Sequence, residues 1–233
     1  MILYHAVRKA VFLDRPNRFI AHCLLDGETV VCHVKNTGRC RELLLPGATV
    51  YLAESPNPQR KTRYDLVCVE SRGYVINMDS QAPNPVFAEW ARQGGFAEGL
   101  TELRQEVTYS ASRFDFAFMH HGTPGFAEIK GVTLFDEEDH AFFPDAPTER
   151  GVKHLHELIA ARKEGYEAAL CFVVQRDNVA SVSPNDKTHP AFGTALAEAE
   201  AAGVHLVAAV CHVTPESMTI THTVPVTFDR RLI

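Results

Sequence analysis

Arg113-Phe114-Asp115-Phe116-Ala117-Phe118-Met119-His120-His121-Gly122-Thr123-Pro124-Gly125-Phe126-Ala127-Glu128-Ile129-Lys130 reads as a strand, a turn and a returning strand. A period of two predicts Phe114, Phe116 and Phe118 on one face of the first strand and Asp115 on the other. His120 to Gly125 supplies turn residues, and on the return Glu128 and Lys130 share a face. A register that sets residue 115 against 128 or 130 would bring an aspartate, a glutamate and an ammonium together.

That trio has a recognisable chemistry. Two hard carboxylates suit Mg²⁺ or Mn²⁺, which favour oxygen ligands and keep several waters. Such an ion lowers the pKa of a bound water, and a nearby lysine can position that water and offset charge building on a phosphodiester. The same residues also fit a solvated strand face with a chance ion pair. An acid two places before a lysine is expected about once or twice in a chain of this size; Glu128-Ile129-Lys130 is the single instance here.

Outward toward the C-terminus, Glu149 to Glu164 predicts a helix. Its stripe is Val152, Leu155, Ile159 and Arg162, with Leu158 beside it and Gly165 as the stop. Ala168 to Val174 reads as a buried strand, Ala191 to Ala202 as a helix stopped by Gly203, and Val204 to Val213 as a further strand. This alternation predicts a mixed α/β layer.

Toward the N-terminus, Gln81-Ala82-Pro83-Asn84-Pro85 reads as a stiff connector that no helix tolerates, ahead of a short helix from Val86 to Arg92. Earlier still, Phe19 to Leu25 and Thr29 to Val34 form a predicted hairpin around Asp26-Gly27. Ala48 to Ala53, Tyr64 to Glu70 and Tyr74 to Met78 add short strands, the pattern of a small antiparallel barrel or sandwich. Two domains are expected, an all-β unit over 1–80 and an α/β unit over 81–233.

Composition narrows the class. With 45% apolar and 22% charged residues over 233 positions, the chain is globular rather than disordered or fibrous. It lacks a signal-like start and any apolar stretch approaching the length of a membrane span, so no membrane association is expected and a cytoplasmic location is. Six cysteines fall singly, several within apolar runs, as reduced thiols acting as small hydrophobes. His154 and His156, two apart on a predicted helix, diverge too far to form a structural zinc pair. The net charge is -6, yet residues 1–80 hold eleven Lys/Arg against eight Asp/Glu, a net +3, so the remainder carries -9. A basic half can steer a polyanion toward an acidic half that holds cations.

Ordered blocks along nearly the whole chain carry a resemblance. They are Arg15-Pro16-Asn17-Arg18-Phe19, His33-Val34-Lys35-Asn36-Thr37-Gly38-Arg39, Glu42-Leu43-Leu44-Leu45-Pro46-Gly47-Ala48, Ser112-Arg113-Phe114-Asp115-Phe116, Glu128-Ile129-Lys130-Gly131-Val132-Thr133-Leu134, Phe143-Pro144-Asp145-Ala146 and Thr148-Glu149-Arg150-Gly151-Val152-Lys153-His154-Leu155. In these the chain resembles the sugar fermentation stimulation protein A (SfsA) family. The resemblance implies a two-domain α+β and α/β architecture, with an N-terminal OB-like β-barrel followed by a PD-(D/E)XK nuclease-like α/β domain. It also implies DNA binding and a regulatory role in sugar, notably maltose, metabolism. Carried over by position, it makes Asp115 and Glu128 metal ligands, gives Lys130 the attacking water and adds Glu106 as a further carboxylate.

Arg15, Arg18, Arg39, Arg41, Arg60 and Lys61 are the candidate DNA contacts, because guanidinium forks suit phosphate oxygens and a barrel would give them a common scaffold. The amides of Asn36-Thr37-Gly38 could join them. Lys153 and His154 are candidate substrate contacts, although a Lys153–Glu157 pair along the helix is the simpler reading. DNA binding, with a regulatory role in sugar metabolism, ranks first, and cleavage as a Mg²⁺-dependent endonuclease or exonuclease ranks second. A module for an oligosaccharide or a protein, on the OB-like face, ranks behind.

Overall fold

The computed structural model describes residues 1–36, 38, 40–110 and 112–228. Its N-terminal part comprises β1 (Val7–Asn17), β2 (Ile20–Leu25), β3 (Glu28–Val34), β4 (Thr49–Glu54), β5 (Tyr64–Ser71) and β6 (Tyr74–Asn77). The sheet order is β3-β2-β1-β4-β5-β6, and a parallel pairing of β3 with β5 closes the first five strands into a barrel. The hairpin between β2 and β3 turns at Asp26 and Gly27, both with positive φ (52° and 86°), as an Asp-Gly turn between twisted strands requires. β1 was not foreseen in the sequence. Its pairing with β2 shifts register at Phe12/Asp14 and again at Asp14/Asn17, and those irregularities erase the alternation that announces a strand. Phe12, Leu52, Leu66, Ile76 and Met78 fill the barrel.

The second part runs α1 (Pro83–Arg92), β7 (Leu100–Tyr109), β8 (Ser112–His120), β9 (Thr123–Val132), β10 (Leu134–Phe135), β11 (His140–Phe143), α2 (Glu149–Lys163), β12 (Glu167–Val174), β13 (Ser181–Pro184), α3 (Pro190–Ala201), β14 (His205–Val213) and β15 (Met218–Val224). The main sheet has the order β15-β14-β12-β9-β8-β7, with β10-β11-β13 as a smaller sheet. β9, β12 and β14 are parallel neighbours, while β7 and β8 complete an antiparallel meander on one side. One face of the main sheet packs on α1 through Phe87, Phe116 and Ile129; the other packs on α2 and α3 through Leu155, Leu158, Phe172 and Phe192.

Three sequence expectations need correction. The Pro83-Asn84-Pro85 segment opens α1 rather than preceding it, because the first helical residues need no intrahelical N–H acceptor and proline's fixed φ suits that turn. Phe114 does not share a face with Phe116 and Phe118: it packs with α2 and α3, whereas the other two pack on the α1 side. The alternation of β8 therefore breaks at Asp115, where its regular pairing with β9 ends at Phe116↔Ala127. Finally, the buried stripe of α2 is Gly151, His154, Leu155, Leu158 and Ala161, rotated from the predicted one so that His154 points inward.

Polar and cation–aromatic contacts tie the two parts. Buried Gln175 donates through Nε2 to the Asn77 carbonyl, the Asn77 side chain and the Asp79 carbonyl at 3.0–3.2 Å. The Arg176 guanidinium lies between the rings of Tyr74 and Phe135, 4.4 and 4.3 Å from their centroids. A desolvated cation over an aromatic face contributes about 2 kcal/mol. All six cysteines are buried free thiols, and burial raises the pKa of Cys171 and Cys211. Among the described residues, no helix is long and apolar enough to cross a membrane.

Candidate functional site

Glu128 and Lys130 project from the middle of β9, itself flanked by β8 and β12. The shared face expected of them holds: Lys130 Nζ lies 2.7 Å from Glu128 Oε1. Asp115 arrives from β8 at the break in alternation, and its carboxylate accepts the Ile129 N–H at 2.8 Å through Oδ2. Its other oxygen accepts from Asn84 Nδ2 at 3.0 Å, at the start of α1. Gly131 permits this approach, since a Cβ there would meet the Pro83 ring and the Gln175 amide. Asp115 thus lies near enough to Glu128 and Lys130 to feel both charges, although alternation alone gave the wrong reason for it.

The electrostatics of the two carboxylates differ. Burial raises the pKa of Asp115, and the neighbouring charge of Glu128 pushes it further in the same direction. Burial also works against Glu128, but the hydrogen bond from His154 and the charge of Lys130 outweigh it and hold the carboxyl below its ordinary range. His154 Nδ1 and Lys130 Nζ both engage the same oxygen, Oε1. Glu128 Oε2 is buried, and among the described residues no donor reaches it. A buried, charged carboxylate oxygen without a partner is costly, and it is what a hard cation would relieve. Among the described residues no group of three or more His, Cys, Asp or Glu side chains is gathered for a metal.

Glu106 does not join these three residues. It sits across from Asp115 on β7, between the pairs Gln105↔Phe116 and Val107↔Phe114, but its backbone has φ 54° and its exposed side chain pairs with Arg113 at 3.6 Å. His154, expected at the substrate, is instead buried against Glu128; its polar atoms are consumed inside the fold. Lys153 is exposed and lies 3.7 Å from Glu157, the helical ion pair. Asn84 was not anticipated: the flanking prolines masked a helix start that carries a polar side chain into the site.

The basic candidates divide. A groove of about 940 Å³ opens where the barrel meets the loop leading into α2, lined by Arg15, Arg18 and Arg41 from one side and Phe143 to Thr148 from the other. Thr148 caps α2 by accepting the Gly151 N–H at 3.0 Å, so the groove ends at the helix that carries His154 to Glu128. Arg15 is largely committed, donating to the carbonyls of Gly38, Arg18 and Asn36 at 2.6–3.1 Å and so shaping the loop beside the groove. Arg18 and Arg41 are exposed, and Arg18 lies 5.9 Å from the ring centroid of half-exposed Phe19. Arg60 is held by Asp65 in a two-pronged pair at 2.9 and 2.7 Å. Lys61 lines a different cavity with Arg8 and Arg63. Arg39 and Thr37 lie outside the described residues.

Comparison with known proteins places this geometry. A family model described as the sugar fermentation stimulation protein RE domain matches residues 81–217, and one described as the SfsA N-terminal OB domain matches residues 13–78. A sugar fermentation stimulation protein homolog of Desulfitobacterium hafniense (strain Y51) is 53% identical over 215 residues, covering 92% of this chain and 93% of its own length. The homolog of Ruminiclostridium cellulolyticum is 48% identical over 208 residues, covering 89% and 92%. Among solved structures, Pyrococcus furiosus SfsA in complex with Ca²⁺ is similar with a TM-score of 0.89, at 27% identity and 98% coverage of both chains.

Proposed function

The chain belongs to the sugar fermentation stimulation protein family, and from that premise we propose that it binds DNA in the groove beside the barrel and hydrolyses phosphodiesters at Asp115, Glu128 and Lys130 with a divalent cation. The observation that carries this reading is the buried Oε2 of Glu128, which has no hydrogen-bond partner among the described residues, on a carboxylate that pairs with Lys130 and whose charge acts on Asp115. Asp115 and Glu128 would hold the cation. When bound, Mg²⁺ or Mn²⁺ supplies Lewis acidity and a water of lowered pKa.

The remaining work falls to the chain's own groups. Lys130 places a positive charge where negative charge builds on the phosphodiester and can orient the attacking water. Asn84 and the Ile129 N–H fix the Asp115 carboxylate through one hydrogen bond to each oxygen. Arg18 and Arg41 offer forks for backbone phosphates leading to the site, and half-exposed Phe19 offers a face for a base. The Ca²⁺ complex of the Pyrococcus furiosus relative is in keeping with an oxygen-lined cation site in this fold.

A second reading keeps the DNA grip and gives up cleavage, leaving a regulator of sugar, notably maltose, metabolism. The 2.7 Å ion pair that occupies Lys130 favours it. One assay separates the two: purified protein with Mg²⁺ or Mn²⁺ is expected to nick DNA, and Asp115→Ala or Lys130→Ala to stop the nicking while DNA retention survives. No metal-dependent cutting of single-stranded, duplex or branched DNA by the wild type would leave the regulator.

A further inference from the structure

His154 is a buried titratable group that the proposed chemistry does not use, with only 3% of its surface exposed. Both ring nitrogens are engaged. Nδ1 contacts Glu128 Oε1, and Nε2 lies 3.3 Å from Nε of Arg150, one helical turn earlier on α2. A guanidinium nitrogen can only donate, so Nε2 must present its lone pair, and the ring proton sits on Nδ1. The Nδ1–H therefore donates to Glu128. The ring is further fixed by an edge contact with Phe114, 6.4 Å between centroids at 70°.

The consequence for Glu128 is orientation. A glutamate side chain alone could rotate either oxygen toward the pocket or trade its partners between them. With His154 and Lys130 both directed at Oε1, rotation would strip two donors from a buried charge, a penalty that pins the carboxylate. Oε2 is the oxygen left bare. We infer that His154 is a positioning residue for the cation site: held by Arg150 in its Nδ1-protonated form, it fastens Glu128 by Oε1 and so presents Oε2 as the ligand oxygen. The inference rests on the proposed cation site and adds to it a partner outside the ligand set, of the kind that sets ligand orientation in metal proteins.

The test uses the metal-free full chain titrated with Mn²⁺ by calorimetry, alongside nitrogen-15 NMR of the histidine rings. His154→Leu is expected to weaken Mn²⁺ binding by about 10- to 100-fold, the usual cost of losing such a partner. His154→Asn, which keeps an N–H near the position of Nδ1, is expected to restore most of that loss, and Arg150→Met, at an exposed residue, to cost only a few-fold. NMR of the wild type before metal addition is expected to show a proton on Nδ1 and none on Nε2. Wild-type Mn²⁺ affinity in His154→Leu, equal losses in the Leu and Asn variants when both melt cooperatively, or an Nε2-protonated ring each overturn the inference while leaving the cation site standing. A wild type that takes up no Mn²⁺ removes the site itself and the inference with it.

Discussion

Asp65 in the barrel and Glu128 in the second sheet are carboxylates of similar burial, 6% and 3% exposed, with opposite surroundings. Asp65 is saturated. Arg60 grips both of its oxygens, Lys35 reaches Oδ2 at 3.4 Å and His33 reaches Oδ1 at 3.3 Å. Among the described residues, Glu128 takes two donors on one oxygen and none on the other, and the pKa of Asp115 is raised by burial and by the charge of Glu128. A self-sufficient network serves the fold, whereas a buried carboxylate oxygen left without a donor is what the proposed cation would relieve. The contrast also explains why Arg60, attractive as a phosphate contact in the sequence, is spoken for.

The comparison breaks most visibly in activity. Glu128→Gln should reduce Mn²⁺-dependent DNA cleavage by more than about 100-fold, beyond the usual loss for an outer partner of a metal ligand. Asp65→Asn, equally buried, should leave the rate of the folded protein within a few-fold. Equal loss in the two variants, measured on samples matched for folding, would erase the distinction.

Stability reverses the ranking. Asp65→Ala strands Arg60 and His33, while Lys35 keeps its partner Asp79 at 3.2 Å, and is expected to cost about 2–3 kcal/mol in urea unfolding; this is below the about 3–5 kcal/mol of a wholly buried pair, because Arg60 keeps some contact with water. A cost under about 0.5 kcal/mol, the usual range of surface substitutions, would show that the network is ornamental to stability.

Acid should separate the same two regions. Burial raises the Asp65 pKa, but Arg60 and Lys35 overcome it and hold the carboxyl below its usual range. A depressed acid contributes stability that is fully present above the unfolded pKa of about 3.9 and is lost as pH falls through the folded value. Asp115, raised in the folded chain, acts in the other sense: its ionisation costs stability in the metal-free protein, and a cation offsets that cost. Urea melts across the acid range should therefore show a shallower acid loss in Asp65→Asn than in wild type, with the curves meeting at the lowest pH. Mn²⁺ should stabilise wild type near neutrality by about 2.7 kcal/mol at a hundred times its dissociation constant.

The smallest expected effect concerns the basic residues. Arg18→Ala and Arg41→Ala should each lower the magnitude of the salt slope of DNA binding by about 1, the signature of one lost phosphate contact. Arg60→Ala should leave the slope unchanged while reducing stability. A slope that responds to Arg60 and ignores Arg18 would place the DNA elsewhere on the barrel.

What the sequence disclosed follows from regularity. β9 is a central strand with undisturbed pairing to β12, so the shared face of Glu128 and Lys130 could be read from a period of two. Asp115 could not be placed that way, because β8 breaks its alternation at that residue. Asn84 was hidden by two prolines that looked like a connector and are a helix start. His154 was assigned outward because its polarity suggested a solvent face, and only its contacts with Glu128 and Arg150 account for turning α2 inward there. The arginines were legible as charges but not as free charges: Arg15 serves loop carbonyls and Arg60 serves Asp65.

The central claim is that Asp115 and Glu128 seat a divalent cation, and crystals soaked in Mn²⁺ and measured for anomalous scattering test it most directly. The account predicts a Mn²⁺ peak between the Asp115 carboxylate and Oε2 of Glu128, with waters completing its shell. Occupied Mn²⁺ sites elsewhere with none between these two carboxylates would contradict it.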